Sequence, residues 1–145
     1  DEPLAALDIS IQTQIVALLK SLQEQFGLTY LFISHDLAMV RAISTRIAVM
    51  YVGELVEVAP ARELYTSPLH PYTQGLIASV PLPDPAREMK RKKVRMSGEV
   101  PGPFEQIKGC PFQGRCPRVH GPCYSEMPPL VEVSPGRFVA CHAVT

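Results

Sequence analysis

Apolar positions early in the chain recur at helical intervals. Ile11, Ile15, Leu18, Leu19, Leu22 and Phe26 follow one another at spacings of three and four, and Gly27 comes directly after them. This pattern predicts an α-helix over 9–26 with one apolar face and a glycine stop. The run Leu28-Thr29-Tyr30-Leu31-Phe32-Ile33 shows no polar alternation beyond Thr29, which predicts a strand covered on both faces, as in a parallel sheet. After Ser34-His35-Asp36, the positions Leu37, Val40 and Ile43 predict a short helix, and 46–52 and 54–58 predict two strands joined tightly around Gly53. Helix, buried strand, helix and hairpin in this order predict an α/β fold.

Proline divides the chain. Of 15 prolines only Pro3 precedes position 60, and the other 14 run from Pro60 to Pro135, where they interrupt any long helix or central strand. Charge follows a similar division: residues 1–66 carry eight acids and four bases, 67–100 three and six, and 101–145 three and four. A regular first part is therefore expected to precede a loop-rich second part. Within the latter, His70-Pro71-Tyr72-Thr73 opens a short helix in which Thr73 or Gln74 is expected to satisfy the first amides while Leu76, Ile77 and Val80 face inward. The basic run Lys90-Arg91-Lys92-Lys93-Val94-Arg95 follows three prolines and reads as a solvated hinge rather than a nucleic-acid patch.

Composition narrows the class. The 145 residues balance 14 Lys and Arg against 14 Asp and Glu, and 46% hydrophobic content with a mean hydropathy of +0.08 excludes a disordered polyelectrolyte. No apolar run approaches the ~20 residues needed to span a bilayer, so a membrane-embedded chain is excluded. Asp1-Glu2-Pro3 carries neither the charged nor the apolar region of a secretory leader, which places the four cysteines in a reducing compartment as thiols rather than disulfides.

Candidate chemistry gathers at the expected strand ends. Asp1 and Glu2 are adjacent carboxylates on a segment expected to be extended, because a residue before proline is pushed out of the helical region. One could hold a metal while the other faces a water. His35 lies just past the predicted buried strand, where open α/β sheets place their ligands. Ser34, His35 and Asp36 are neighbours in sequence and so cannot converge as a catalytic triad.

These residues carry a resemblance. Asp1-Glu2-Pro3-Leu4-Ala5-Ala6-Leu7-Asp8 resembles the Walker B end and D-loop of ATP-binding-cassette (ABC) ATPases, and Phe32-Ile33-Ser34-His35-Asp36-Leu37 resembles their switch-histidine loop. Further on, His70-Pro71-Tyr72-Thr73 with Gly75-Leu76 and Val80-Pro81, then Gly98-Glu99-Val100-Pro101 and Gly109-Cys110-Pro111-Phe112 through Cys141-His142, resemble the C-terminal extension of oligopeptide and dipeptide importer ATPases. Leu4 and Ala5 depart from the Thr and Ser or Thr usual in the family, which alters the D-loop surface without removing a charge. The resemblance implies a partial ABC-type (P-loop NTPase) domain over 1–66 and the transporter C-terminal region, small, irregular and cysteine-rich, over 67–145.

Residue by residue, the resemblance implies that Asp1 binds Mg²⁺ through water, Glu2 orients the attacking water as general base, Asp8 communicates across a nucleotide-bound dimer, and His35 contacts the γ-phosphate of ATP. Such roles suit phosphoryl transfer, which needs positioned charge more than covalent chemistry. The resemblance further implies a subunit at the cytoplasmic face of the cell membrane, peripheral to it, whose partners are a second ABC ATPase subunit and transmembrane permease subunits, with no nucleic acid. The chain holds no G-x-x-x-x-G-K-[S/T] phosphate loop and no Leu-Ser-Gly-Gly-Gln signature, both of which precede Walker B in the family. A truncated C-terminal portion is therefore expected, inactive as an ATPase by itself. The alternative from another class is a non-catalytic metal-binding or interaction module, a remnant without the phosphate loop.

The second constellation is Cys110-x5-Cys116-x6-Cys123-x17-Cys141. Zinc sites favour C-x2–4-C pairs, so these spacings fit zinc poorly, although His120 and His142 could substitute as ligands. The same spacing resembles the cysteine motif of peptide-importer ATPases, which implies a [4Fe-4S] cluster held by Cys110, Cys116, Cys123 and Cys141, with zinc as the alternative and free structural thiols as a third reading. Arg115, Arg118 and Arg137 lie near the cysteines in sequence and are expected to offset their negative charge.

Overall fold

A computed structural model of the chain describes residues 1–80, 96, 98–102 and 107–145, so the basic run at 90–95 lies outside the described residues. The chain forms two compact units, Asp1–Thr45 and Arg46–Thr145. This division precedes the 66/67 boundary read from composition and motif, because strands on both sides of residue 66 share one sheet.

In the first unit, α1 spans Ile9–Phe26, the range that the apolar spacing predicts. Asp8 caps it, accepting the Ile11 N–H at 3.0 Å, and Gly27 ends it at φ 64, a left-handed conformation that glycine adopts without steric cost. Helix α2, Leu37–Ile43, is capped by Asp36, whose Oδ1 accepts the N–H groups of Ala38 and Met39. The buried apolar residues of this unit are few, with Leu4, Met39 and Val40 the principal ones, and α1 buries none of its own.

The expected strand over 28–33 is absent. Those residues are irregular, Leu31 is 90% exposed, and Leu28 and Ile33 are exposed as well. A strand exists only through its ladder, and among the described residues the run has one main-chain bond to a distant segment, from the Glu2 N–H to the Ile33 carbonyl at 2.8 Å, beside the Leu28 N–H bond back to Gln23 at the end of α1. The apolar run is built to be covered on two faces, and this unit supplies neither. Glu2 also departs from expectation: its φ is 43, left-handed rather than extended, although it precedes Pro3.

The second unit is organised by a four-stranded antiparallel sheet in the order β1-β2-β4-β3, formed by β1 (Arg46–Tyr51), β2 (Glu54–Pro60), β3 (Val131–Ser134) and β4 (Arg137–Val139). The mixed helix and sheet content is compatible with the α/β reading, but the sheet described is antiparallel rather than parallel. Ile47, Val49 and Tyr51 alternate inward along β1, and the two-residue turn Val52-Gly53 has positive φ at both positions, 49 and 81, matching the right-handed twist of a tight hairpin. Gly serves this turn at no cost, whereas a β-branched Val at φ 49 is strained.

Helix α3 (Ala61–Thr66) packs on β1 and β2, and α4 (Pro71–Ala78) follows it. The α4 cap is His70 rather than Thr73 or Gln74: His70 Nδ1 accepts the Tyr72 N–H at 3.0 Å, and Gln74 Nε2 donates back to the Pro68 carbonyl. Pro71, Thr73 and Gly75 form its buried face, not Leu76, Ile77 and Val80. Phe112, from the loop-rich C-terminal segment, is fully buried and meets Tyr51, Tyr72 and His70 at ring-centroid distances of 5.1, 5.5 and 5.7 Å. Among the described residues no helix is long and apolar enough to cross a membrane.

Candidate functional site

Glu2 and His35 are 33 positions apart in sequence, and the first unit brings them into contact, Glu2 Oε1 to His35 Nδ1 at 2.7 Å. The Glu2 N–H bond to Ile33 holds the two segments side by side, and Ser34 Oγ accepts the Asp36 N–H, turning the chain into α2. The hydrogen bond and the charge of Glu2 raise the His35 pKa, against a small opposing effect of burial. The pair is therefore complete while His35 is protonated and is lost as pH rises through that raised value. His35 remains 77% exposed at its side chain, so its outer face is free for a ligand. Asp1 is exposed at the chain start, and Asp8 serves locally as the α1 cap.

Cys110, Cys123 and Cys141 are buried, Cys116 is half-buried, and all four are free. The Cys110 N–H donates to the Cys123 carbonyl at 2.8 Å, which joins the first and third members of the set. Three thiols accept a main-chain N–H from two residues ahead: Cys116 from Arg118 at 3.4 Å, Cys110 from Phe112 and Cys141 from Ala143. Burial pushes the Cys110, Cys116 and Cys141 thiols up, and repulsion from neighbouring cysteines of the set adds to it. His120 Nδ1 lies 3.7 Å from Cys123 Sγ, whereas His142 Nε2 is directed to the Glu126 carbonyl at 2.9 Å. Among the described residues no three His, Cys, Asp or Glu side chains gather closely enough to hold a metal ion.

Of the three arginines expected beside the cysteines, Arg118 is the one whose charge favours the thiolates of Cys116 and Cys141, and its guanidinium donates to the Leu69 carbonyl at 2.9 Å. Arg137 sits elsewhere, 3.9 Å from Glu57 and 3.4 Å from Glu63, and donates to the Ser67 carbonyl at 2.6 Å. Arg115 stands beside Tyr72.

Sequence reasoning misses the corner around Glu57. This side chain is fully buried on β2, and its two oxygens accept the N–H groups of Leu69 and His70, each at 2.9 Å. It thereby fixes the entry to α4, to which Arg118 also ties the cysteine segment. Burial and the Arg118 charge lower the His70 pKa from 6.5 to about 4. The unfolded chain takes up a proton there that the folded chain refuses, so stability falls as pH drops from 6.5 toward about 4.

Gly109 permits the close approach of the cysteine segments. Its φ is 81, and a Cβ there would overlap the Cys123 carbonyl oxygen and lie 2.7 Å from the Tyr124 carbonyl carbon. Gly109→Ala is expected to cost about 2–4 kcal/mol, combining backbone strain with overpacking against main chain that cannot swing aside. Urea unfolding followed by circular dichroism measures it, and a midpoint equal to that of the wild type would contradict the packing described.

Residues 56–123 match the family described as the oligopeptide/dipeptide transporter, C-terminal region. The chain is 52% identical over 142 residues to YkfD and 50% identical over 142 residues to AppF, both oligopeptide transport ATP-binding proteins by name, from Bacillus subtilis (strain 168). It is also 51% identical over 142 residues to y4tS of Sinorhizobium fredii (strain NBRC 101917 / NGR234), named as a peptide ABC transporter ATP-binding protein. Each alignment takes in 98% of this chain, which spans 43% of the length of YkfD and AppF and 40% of y4tS. Over nearly its whole length the chain is thus similar to ATP-binding proteins of oligopeptide transport, and its residues 56–123 are similar to the oligopeptide/dipeptide transporter C-terminal region.

Proposed function

We propose that this chain is the C-terminal part of the ATP-hydrolysing subunit of an ABC importer for oligopeptides or dipeptides, working at the cytoplasmic face of the membrane with a second ATPase subunit and permease subunits. Residues 1–66 complete the nucleotide-binding domain, and 67–145 form the C-terminal region. The observation that carries this reading is the Glu2–His35 contact at 2.7 Å: an acid and an imidazole distant in sequence meet at one exposed point, as a general base and a phosphate contact must. Similarity to ATP-binding proteins of peptide transport over 98% of the chain supports it independently.

In this reading Glu2 accepts a proton from the water that attacks the γ-phosphorus. His35, held by Glu2 through Nδ1, presents its other nitrogen to the γ-phosphate. Asp1 would hold the water shell of Mg²⁺, which when bound would neutralise charge on the phosphate oxygens. Asp8 lies on the D-loop, where it relays the state of one nucleotide site to the other. The left-handed φ of 43 at Glu2 is the strain expected where function, not local preference, sets the backbone. Reading the gene upstream of the Asp1 codon tests the assignment. An in-frame phosphate loop and Leu-Ser-Gly-Gly-Gln signature are expected, and a stop codon in their place would favour the non-catalytic remnant.

The same reading gives Cys110, Cys116, Cys123 and Cys141 a [4Fe-4S] cluster, with zinc as the alternative. Support comes from the donor set: four thiols from one chain, three of them accepting main-chain N–H bonds that stabilise thiolate sulfur. Against it, among the described residues no three such ligands gather closely enough to hold a single ion. When bound, such a group supplies a crosslink that returns Cys141 to the other three cysteines. Because β4 pairs with β2 just before Cys141, losing one ligand is expected to loosen the whole second unit. Anaerobic purification with iron, sulfide and zinc analysis, repeated for each Cys→Ser variant, decides. Iron and sulfide in stoichiometric amount, lost in every variant, is expected; zinc without iron moves the site to the alternative, and a metal-free ordered protein refutes both.

A further inference from the structure

The residues that lead into α1 form a loop over 1–8 in which Leu4 alone is buried. Turn bonds fold it, from the Ala5 N–H to the Glu2 carbonyl at 3.3 Å and from the Leu7 N–H to the Leu4 carbonyl at 3.2 Å. The Leu4 carbonyl accepts a second donor, Gln12 Nε2, which reaches back from the first turn of α1 at 3.0 Å. Gln12 is itself fixed there, because its own N–H bonds the Asp8 carbonyl at 2.9 Å. The stretch from Leu4 to Asp8 is thereby closed into a ring on the end of a helix. On its other side the loop is held by the Glu2 N–H bond to the Ile33 carbonyl at 2.8 Å. Between these two tethers Glu2 stands at φ 43. A residue with a side chain keeps such a conformation only where its surroundings hold it, and the Gln12 amide is part of what does so here.

We propose that Gln12 is a positioning residue for hydrolysis, holding the Leu4 carbonyl against α1 and so setting the turn from which the Glu2 carboxylate meets His35 at 2.7 Å. The inference rests on the proposed role of Glu2 as general base. Gln12 acts through the main chain of the loop, not on the reacting atoms. Without its amide the Leu4 carbonyl keeps only the Leu7 bond, which lies inside the loop and moves with it. The loop can then swing on the end of α1 and carry Glu2 with it. A general base works only within hydrogen-bond reach of the proton it takes, and a misplacement of about 1 Å can cost about a hundredfold in rate. Because Glu2 acts on the water rather than holding ATP, the loss falls on kcat and not on KM.

The test compares two variants in a full-length ATP-binding subunit carrying this chain as its C-terminal part. Gln12→Leu keeps the helix preference but has no donor, and Gln12→Lys restores one. Gln12→Leu is expected to lower kcat for ATP hydrolysis by about ten- to a hundredfold with KM for ATP held within about twofold, and Gln12→Lys to recover most of the loss. Amide hydrogen exchange at Glu2 and Leu7 is expected to quicken by about tenfold in Gln12→Leu, the scale of one lost hydrogen bond, while the later amides of α1 keep their wild-type rates. Glu2→Gln is measured beside them. If it abolishes turnover while Gln12→Leu hydrolyses at the wild-type rate, the inference is overturned and the ATPase reading stands. If Glu2→Gln itself hydrolyses at the wild-type rate, that reading falls and takes the positioning role with it. A loss of kcat that Gln12→Lys does not recover, or unchanged exchange at Glu2, would make Gln12 a structural residue only and overturn the proposal as well.

Discussion

Glu57→Ala is expected to remove about 3–5 kcal/mol of stability from the second unit, the scale of breaking a buried ion pair with hydrogen-bonded partners. The carboxylate is fully buried, its oxygens accept from the Leu69 and His70 amides at 2.9 Å each, and Arg137 stands 3.9 Å away. Alanine leaves two buried N–H groups without acceptors, each costing about 1–3 kcal/mol, and deprives Arg137 of one of its two carboxylates. A domain of ordinary stability, about 5–15 kcal/mol, would lose a large share of it. Glu57→Gln should cost less, because the amide oxygen keeps one acceptor while its NH₂ faces the other N–H. Urea midpoints followed by circular dichroism measure both, and hydrogen exchange at Leu69 and His70 should accelerate in parallel. A Glu57→Ala midpoint indistinguishable from that of the wild type would contradict this account of the α4 entry.

The consequence for the cysteine segment follows from connectivity. Arg118 holds the Leu69 carbonyl at 2.9 Å while its own N–H donates to Cys116. Loss of Glu57 frees the loop that Arg118 grips, so cysteine chemistry and the strand core are mechanically joined.

How much of this was legible from the chain depends on whether the signal is local. Helix α1 was legible to the residue, because the spacing from Ile11 to Phe26 and the stop at Gly27 are both local facts. The hairpin around Gly53 was legible for the same reason, although β2 runs on to Pro60 instead of ending at 58. The run 28–33 misled, since its composition speaks of neighbours that the first unit does not contain, and Leu31 is left 90% exposed. Glu57 was illegible. An acid in a strand reads as solvent-facing until the two amides that bury it are known, and they come from residues 12 and 13 positions on. His70 as a cap was missed because a ring nitrogen is a rare acceptor at that position, while Thr73 and Gln74 offered commoner ones. Of the candidate site, Glu2 and His35 were legible as candidate residues from their places in the chain, while their particular roles came only through resemblance. Their contact is a tertiary fact.

The measurement that bears most directly on the proposed function is ATP hydrolysis by a full-length ATP-binding subunit carrying this chain as its C-terminal part, comparing wild type with Glu2→Gln while nucleotide binding is followed in parallel. Glutamine keeps the shape of Glu2 and its contact with His35, but it cannot accept the proton of the attacking water. Turnover is therefore expected to fall by about 10²–10⁴, the usual contribution of a general base, with ATP affinity retained because the phosphate-binding groups are untouched. Hydrolysis at the wild-type rate by Glu2→Gln would contradict the role assigned to the Glu2–His35 pair, and with it the reading of this chain as the catalytic end of an ATPase.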